Sequence, residues 1–284
     1  MKKYIILLIL GLIWGSSFIL MKKGLEIFSP IQIAALRLFF AFLVLSPFLY
    51  KAFKNLKKEI IFPLFLVSLF GNTFPAFLFA RAQQDLDSSF VGILNSLTPI
   101  FTLLLGTIFF SVSLNKKKII SILISTLGVL ILCFPQINHN IMFDSAIYLV
   151  IFATFFYGLS INIISKYLKD LDSLSISSIS LFLISPICVF LIFYLDIFSL
   201  IKEDNAQISL FYIFILGTLC TSIALIFFNY LIKITTPVFA SYVTYIIPIV
   251  AVLWGIVIYE EITSISLLGG LIILIGIFLL NNKD

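Results

Sequence analysis

The side chains of this 284-residue sequence most able to handle a solute are uncharged polar groups set inside long apolar runs: Ser16, Ser17, Asn72, Thr73, Asn95, Thr98, Asn162, Thr221, Ser222, Asn229, Thr244 and Tyr245. A polar group in hydrocarbon costs free energy unless it meets a partner or faces a cavity, so each is a candidate contact. For the hydroxyls, packing between helices or bonding back to their own helix competes with that reading. Trp14 adds an aromatic candidate, because it stands about ten residues into its run, roughly 15 Å deep at 1.5 Å per residue, below the interface where tryptophans collect. Its indole N–H needs a partner there. With Tyr157 at the matching place of a later run it is expected to form opposing walls of a cavity, with plain core packing as the rival.

Arg37 is the one charge clearly within a run. Two readings stand: an ion pair with Glu26, the long side chain reaching the outer interface, which is preferred, or a bidentate contact to a substrate carboxylate. No Asp or Glu lies near the middle of any run, so an intramembrane carboxylate relay has no candidate. Glu260 and Glu261 follow a run and precede another, where their role is to favour a helix N-terminus or to contact charge at the end of the site. Pro75, Pro99 and Pro248 each remove a backbone donor within a run, and the freed carbonyls and kinks point to a midplane site and to bending. Cys133, Cys188 and Cys220 sit apart in apolar runs as small hydrophobes, and the single histidine, His139, is a solvated loop residue. No metal-ligand spacing exists, and neither metal nor cofactor is expected.

The elements that hold these groups follow from composition. With 62% hydrophobic and 11% charged residues the chain is far more apolar than a soluble domain, which has roughly 45–50% and 25%. The runs are long and unalternating, so they predict helices rather than barrel strands. The expected fold is an all-α integral membrane protein of ten transmembrane helices, Tyr4 to Met21, Ile31 to Tyr50, Ile60 to Ala80, Ser89 to Ser111, Ile119 to Phe134, Ser145 to Lys166, Ile176 to Leu195, Ile208 to Leu231, Val238 to Tyr259 and Ile265 to Leu280.

Residues 1–140 and 141–284 read as two copies of one five-helix repeat. Trp14-Gly15-Ser16-Ser17-Phe18 is echoed by Tyr157-Gly158-Leu159-Ser160-Ile161, Phe90 by Phe239, Pro99 by Pro248, Gly106 by Gly255 and Gly128 by Gly276. An odd number of helices per copy inverts the second relative to the first. Of the 18 Lys and Arg, 13 fall in one set of alternate segments and 4 in the other, with Arg37 in a span. The positive-inside rule then puts both termini in the cytoplasm.

These motifs resemble the EamA-type ten-helix carriers of the drug/metabolite transporter superfamily. The resemblance rests on Trp14 to Phe18, Ser29-Pro30 with Ala35-Leu36-Arg37, Leu97 to Phe101 with Gly106, Ile247-Pro248-Ile249 with Glu260 to Thr263, and Leu268-Gly269-Gly270 to Gly276. One departure is Ser111-Val112-Ser113-Leu114, where the family commonly has an acid after its fourth helix. The resemblance implies an inner-membrane carrier, often an exporter, of amino acids or related metabolites.

The expectation is thus a secondary transporter with a mostly neutral, aromatic-lined chamber between helices 1, 3, 4, 6, 8 and 9. Trp14, Ser17, Asn72, Asn95, Tyr157, Asn162, Asn229 and Tyr245 would contact a zwitterionic or uncharged solute, since desolvating uncompensated charge is costly. A nucleoside or S-adenosylmethionine type carrier is the alternative within that class. A non-transporting scaffold or receptor is the alternative outside it, and a membrane enzyme lacks a catalytic constellation. Partners are a small-molecule substrate and the lipid bilayer, not nucleic acid, with the protein a monomer or weak homodimer.

Overall fold

The computed structural model describes residues 1–54, 56–133, 145–202, 205–257 and 264–279. Its helical runs are α1 (Lys2–Gly24), α2 (Pro30–Lys54), α3 (Lys58–Asp85), α4 in two pieces (Ser88–Asn95 and Thr98–Phe109), α5 (Lys116–Cys133), α6 (Ala146–Tyr167), α7 (Ser173–Tyr194), α8 (Ala206–Ile234), α9 in two pieces (Pro237–Ser241 and Val243–Val257) and α10 (Ser264–Leu279). No strand occurs among the described residues. Seven of these, α1 to α4 and α6 to α8, are long and apolar enough to cross a bilayer. On α1, Ile5, Leu8 and Leu12 face outward while Leu7 and Leu10 are buried, so the helix is apolar on both sides, as a lipid-facing helix must be.

Side-chain caps fix where α2 and α7 begin. Ser29 accepts from the Gln32 backbone and Gln32 returns a bond to the Ser29 backbone, closing a capping box, while Asp172 accepts from the Ser175 backbone. The two halves then pack reciprocally: α1 lies on α9 and α8 as α6 lies on α4 and α3, α2 lies on α8 as α7 lies on α3, and α2 with α7 and α5 with α10 pair across the middle. The Trp-Gly and Tyr-Gly echo has a local cause in this packing. A Cβ on Gly15 would sit 2.6 Å from Val250, and one on Gly158 would sit 3.0 Å from Phe101, so both glycines permit a close crossing at matching places.

The backbone irregularities expected around the prolines take a form that the prolines do not explain. Residues Ser68–Thr73 of α3 and Thr218–Ile223 of α8 form π-helical turns at corresponding positions. Leu225 stands where Pro75 stands in the first copy, so proline is not what widens these turns. Instead Thr73 and Thr221 each donate a hydroxyl to the carbonyl five residues back, Ser68 and Leu216, which suits the longer turn. The fourth and ninth spans, where Pro99 and Pro248 are expected to bend the chain, are interrupted at Ser96–Leu97 and at Tyr242.

The prolines leave fewer open carbonyls than expected. Pro99 frees the Asn95 carbonyl, and Thr98 Oγ1 donates to it at 2.8 Å. Pro186 inside α7 frees that of Phe182, met by Ser185 at 2.8 Å, and Pro47 frees that of Leu43, met by Ser46 at 2.8 Å. In each case a hydroxyl residue directly before the proline replaces the lost donor. Pro248 has Ile247 before it, and its freed Thr244 carbonyl is met by Ser96 of the other half at 3.4 Å.

Candidate functional site

A cavity lies among α1 to α4 and α6 to α9, with about 980 Å³ of atom-free space, its mouth included. It gathers Trp14, Ser17, Arg37, Asn72, Asn95, Tyr157 and Asn229 from distant parts of the sequence. Two expected members do not line it. Asn162 donates instead to the Thr102 and Gly158 carbonyls at 2.9 and 2.8 Å, holding the close α4–α6 crossing. Tyr245 turns to α5, where its hydroxyl meets Thr126 at 3.0 Å. Glu260 and His139 lie outside the described residues, as does the side chain of Cys133.

The wall also uses α2, through Arg37, and α7, which the sequence reading left out. Ser177 and Ser180 on α7 spend their hydroxyl protons on the carbonyls of Ser173 and Ser177. Their lone pairs are therefore what they can offer across the interface, and an asparagine must meet them with its amide N–H. Asn229 Nδ2 donates to Ser177 Oγ at 2.8 Å and Asn72 Nδ2 to Ser180 Oγ at 3.2 Å. This fixes both amides. Neither Oδ1 accepts a hydrogen bond among the described residues, neither is sealed from solvent, and both residues line the cavity. Asn95 also lines the cavity, and the Thr98 hydroxyl, whose one proton goes to the Asn95 carbonyl at 2.8 Å, stands 3.3 Å from its Oδ1.

Arg37 corrects the expectation of a neutral chamber. Glu26 pairs with Lys23 at 2.7 Å, and both are exposed. Arg37 is only 9% exposed, and its Nε donates to Thr221 Oγ1 at 2.7 Å, so it does not reach the interface. The cause is the approach of α8: a Cβ on Gly217 would lie 2.6 Å from the Arg37 carbonyl and 2.7 Å from Phe40 Cβ. That crossing brings Thr221, one turn further along α8, over the guanidinium. Thr221 already donates to Leu216, so its oxygen is free to accept from Arg37. The Nη groups of Arg37 have no hydrogen-bond partner among the described residues and are not sealed from solvent.

Aromatic rings complete the wall. Trp14 Nε1 donates to the Cys220 carbonyl at 2.8 Å and its ring meets Phe228 edge-on at 4.9 Å. Tyr157 stacks on Phe79 at 5.8 Å, and Phe79 meets Phe18 at 5.9 Å. The indole is thus anchored, as its depth required, while the Tyr157 hydroxyl has no hydrogen-bond partner among the described residues.

The sequence profile described as the EamA-like transporter family matches residues 1–134 and again 144–282. The chain belongs to the EamA-like transporter family. Among curated relatives of this EamA-like chain, an "Uncharacterized transporter" of Archaeoglobus fulgidus is 29% identical over 136 residues, 48% of this chain and 49% of that protein. A "Probable amino-acid metabolite efflux pump" of Salmonella typhimurium is 26% identical over 159 residues, 56% of this chain and 52% of that protein. The aligned part thus spans about half the length of each of these relatives. A crystal structure of another protein superposes with a TM-score of 0.71 at 12% identity, covering 99% of this chain and 97% of that one, which shows the shared fold.

The family and the names of these relatives indicate a membrane transporter rather than an enzyme. In this EamA-like chain, no carboxylate lines the cavity and no cluster of metal-ligating side chains occurs among the described residues. What the wall offers is one cation, two oriented amides, a third amide on Asn95, and aromatic surface. That is equipment for holding a solute.

Proposed function

We propose that the chain is a secondary transporter that moves a small metabolite, an amino acid or a related zwitterionic or uncharged solute, out of the cytoplasm by alternating access. The observation that carries this reading is the cavity itself, whose polar wall is contributed by four helices from each half. In the proposed architecture all ten helical runs cross the membrane as two inverted five-helix repeats, residues 1–140 and 141–284. The reciprocal packing of the halves and the matching π-turns at Ser68–Thr73 and Thr218–Ile223 support it. The lysine distribution supports cytoplasmic termini. The relative named as an amino-acid metabolite efflux pump supports export and the solute class.

Radiotracer efflux from proteoliposomes tests the reading. Saturable flux is expected for at least one solute in a panel of amino acids, nucleosides and S-adenosyl compounds, and flux confined to the last two would favour the nucleoside or S-adenosylmethionine type alternative. No saturable flux for any of them would remove the carrier claim. Asn95→Leu and Asn229→Leu variants are expected to fold and lose flux. Folded variants as active as the parent would remove these residues from the solute path, while a parent with no flux would favour a scaffold.

A further inference from the structure

We infer that the cavity takes its substrate by a carboxylate, held by Arg37 at the α2–α8 wall, with a hydrogen-donating group such as a primary ammonium held by the open carbonyls of Asn72 and Asn229. This rests on the carrier reading and names the substrate class of the same site.

The argument begins from one charge. An arginine carries five N–H donors and does not lose its proton in a protein, so a guanidinium nine-tenths buried needs acceptors. Thr221 supplies one, on Nε. The remaining donors have no acceptor among the described residues, where the two ion pairs, Lys23–Glu26 and Arg81–Asp85, are exposed and elsewhere. A buried charge left this way is costly, and a planar oxyanion that accepts two parallel N–H bonds compensates it best. The bond from Nε to Thr221 tethers the guanidinium at the α2–α8 wall, where Arg37 lines the cavity.

The second pole has the opposite character. The serines of α7 fix the amides of Asn72 and Asn229 with Nδ2 consumed and Oδ1 open, so this part of the wall offers acceptors. A solute with an acceptor-rich anion at one end and N–H donors at the other satisfies both poles, whereas a dicarboxylate or a uniformly uncharged solute leaves one of them unmet. Leaving a site's buried polar groups unpaired is what rejects the wrong solute.

The test uses purified full-length protein in detergent and follows ligand-induced thermal stabilisation. The probes are L-leucine, L-phenylalanine and L-threonine, each beside its C-terminal amide and its N-acetyl derivative. The amide loses the anion and the N-acetyl form loses the ammonium. At least one parent amino acid is expected to stabilise the protein, with amide and N-acetyl forms at least about tenfold weaker. Arg37→Gln is expected to abolish the preference for acid over amide without lowering the unfolding temperature of the unliganded protein, because it removes an uncompensated charge. A fall in that temperature with the preference intact would mark Arg37 as structural and overturn the assignment. So would equal binding of acid and amide by the unsubstituted protein, a comparison that needs no variant, or no binding of any parent acid. Saturable proteoliposome flux of an uncharged nucleoside in any of those cases would leave the carrier reading standing while this inference fell.

Discussion

α2 and α7 hold corresponding places in the two halves and distribute their charge in opposite ways. Both start at a side-chain cap, pack against each other, and receive a π-turned helix of the other half: α8 on α2, α3 on α7. Counted from their caps, Ser29 and Asp172, Arg37 and Ser180 occupy the same step, and both line the cavity. In α2 the cap is neutral and the cavity residue charged; in α7 the cap is charged and the cavity residue neutral. Duplication supplies two equivalent slots, and a single difference of residue type in them turns a symmetric chamber into one with a cation at one wall and acceptors at the other. A symmetric frame is what alternating access needs, and an asymmetric lining is what lets a solute be held one way round.

The largest effect should come from erasing the difference. Arg37→Gln is expected to reduce transport of a carboxylated solute on the order of 100-fold, since loss of one partner of a buried charge contact costs about 2–5 kcal/mol of binding. Initial rates of counterflow in proteoliposomes check it, and an unchanged rate would break the comparison. Next comes the support of the charged slot. Gly217→Ala places a methyl against the Arg37 carbonyl and should cost about 1–3 kcal/mol of stability through overpacking. It should also move Thr221 off Arg37, both readable as a lowered unfolding temperature and weaker solute binding.

The neutral slot should respond less. Asn72→Leu and Asn229→Leu each remove a hydrogen bond to α7, worth about 0.5–1.5 kcal/mol, together with one acceptor in the cavity. Solute affinity should fall several-fold in each while acid-over-amide selectivity persists. Loss of that selectivity would show that the two walls do not act separately.

The smallest effect concerns the caps. Burial raises the pKa of Asp172, but hydrogen bonds from the Ser175 hydroxyl and backbone and the charges of Lys233 and Lys51 outweigh it, so the net pKa lies below the ordinary aspartate value. A depressed carboxylate contributes stability that is present above its unfolded pKa of about 3.9 and is lost as pH falls through the lower folded value. Asp172→Asn should therefore reduce the unfolding temperature slightly at pH 7 and flatten its acid limb below about pH 4, whereas Ser29→Ala should lower stability equally at both. Parallel pH profiles for the two variants would remove the contrast between the caps.

Much of this architecture can be read from the chain because the responsible forces are local. Apolar length gives the helices, and Gly15 and Gly158 repeat because each close crossing excludes a Cβ wherever it occurs. The site was only partly legible because pointing direction depends on partners distant in sequence. Trp14, Ser17, Asn72, Asn95, Tyr157 and Asn229 do converge, but the interruption of α9 at Tyr242 precedes Tyr245, which is directed to Thr126. Asn162 is drawn to the Thr102 carbonyl by the α4–α6 crossing. Depth alone made Arg37 look free to reach the interface, and only the approach of Gly217 and Thr221 keeps it in. Ser177 and Ser180 of α7 were not singled out in the sequence, because the asparagines they orient arrive from α3 and α8. The π-turns had no signal, because a Thr–carbonyl bond five residues back is defined by geometry rather than by residue type.

The most direct measurement is an experimental structure of the full-length protein with a bound amino acid. The account predicts the carboxylate oxygens at hydrogen-bond distance, about 3 Å, from the Nη groups of Arg37, with the ammonium on the Asn72 and Asn229 side of the cavity. A solute seated outside this cavity, or with its carboxylate against Asn72 and Asn229 and Arg37 still bare, would contradict it.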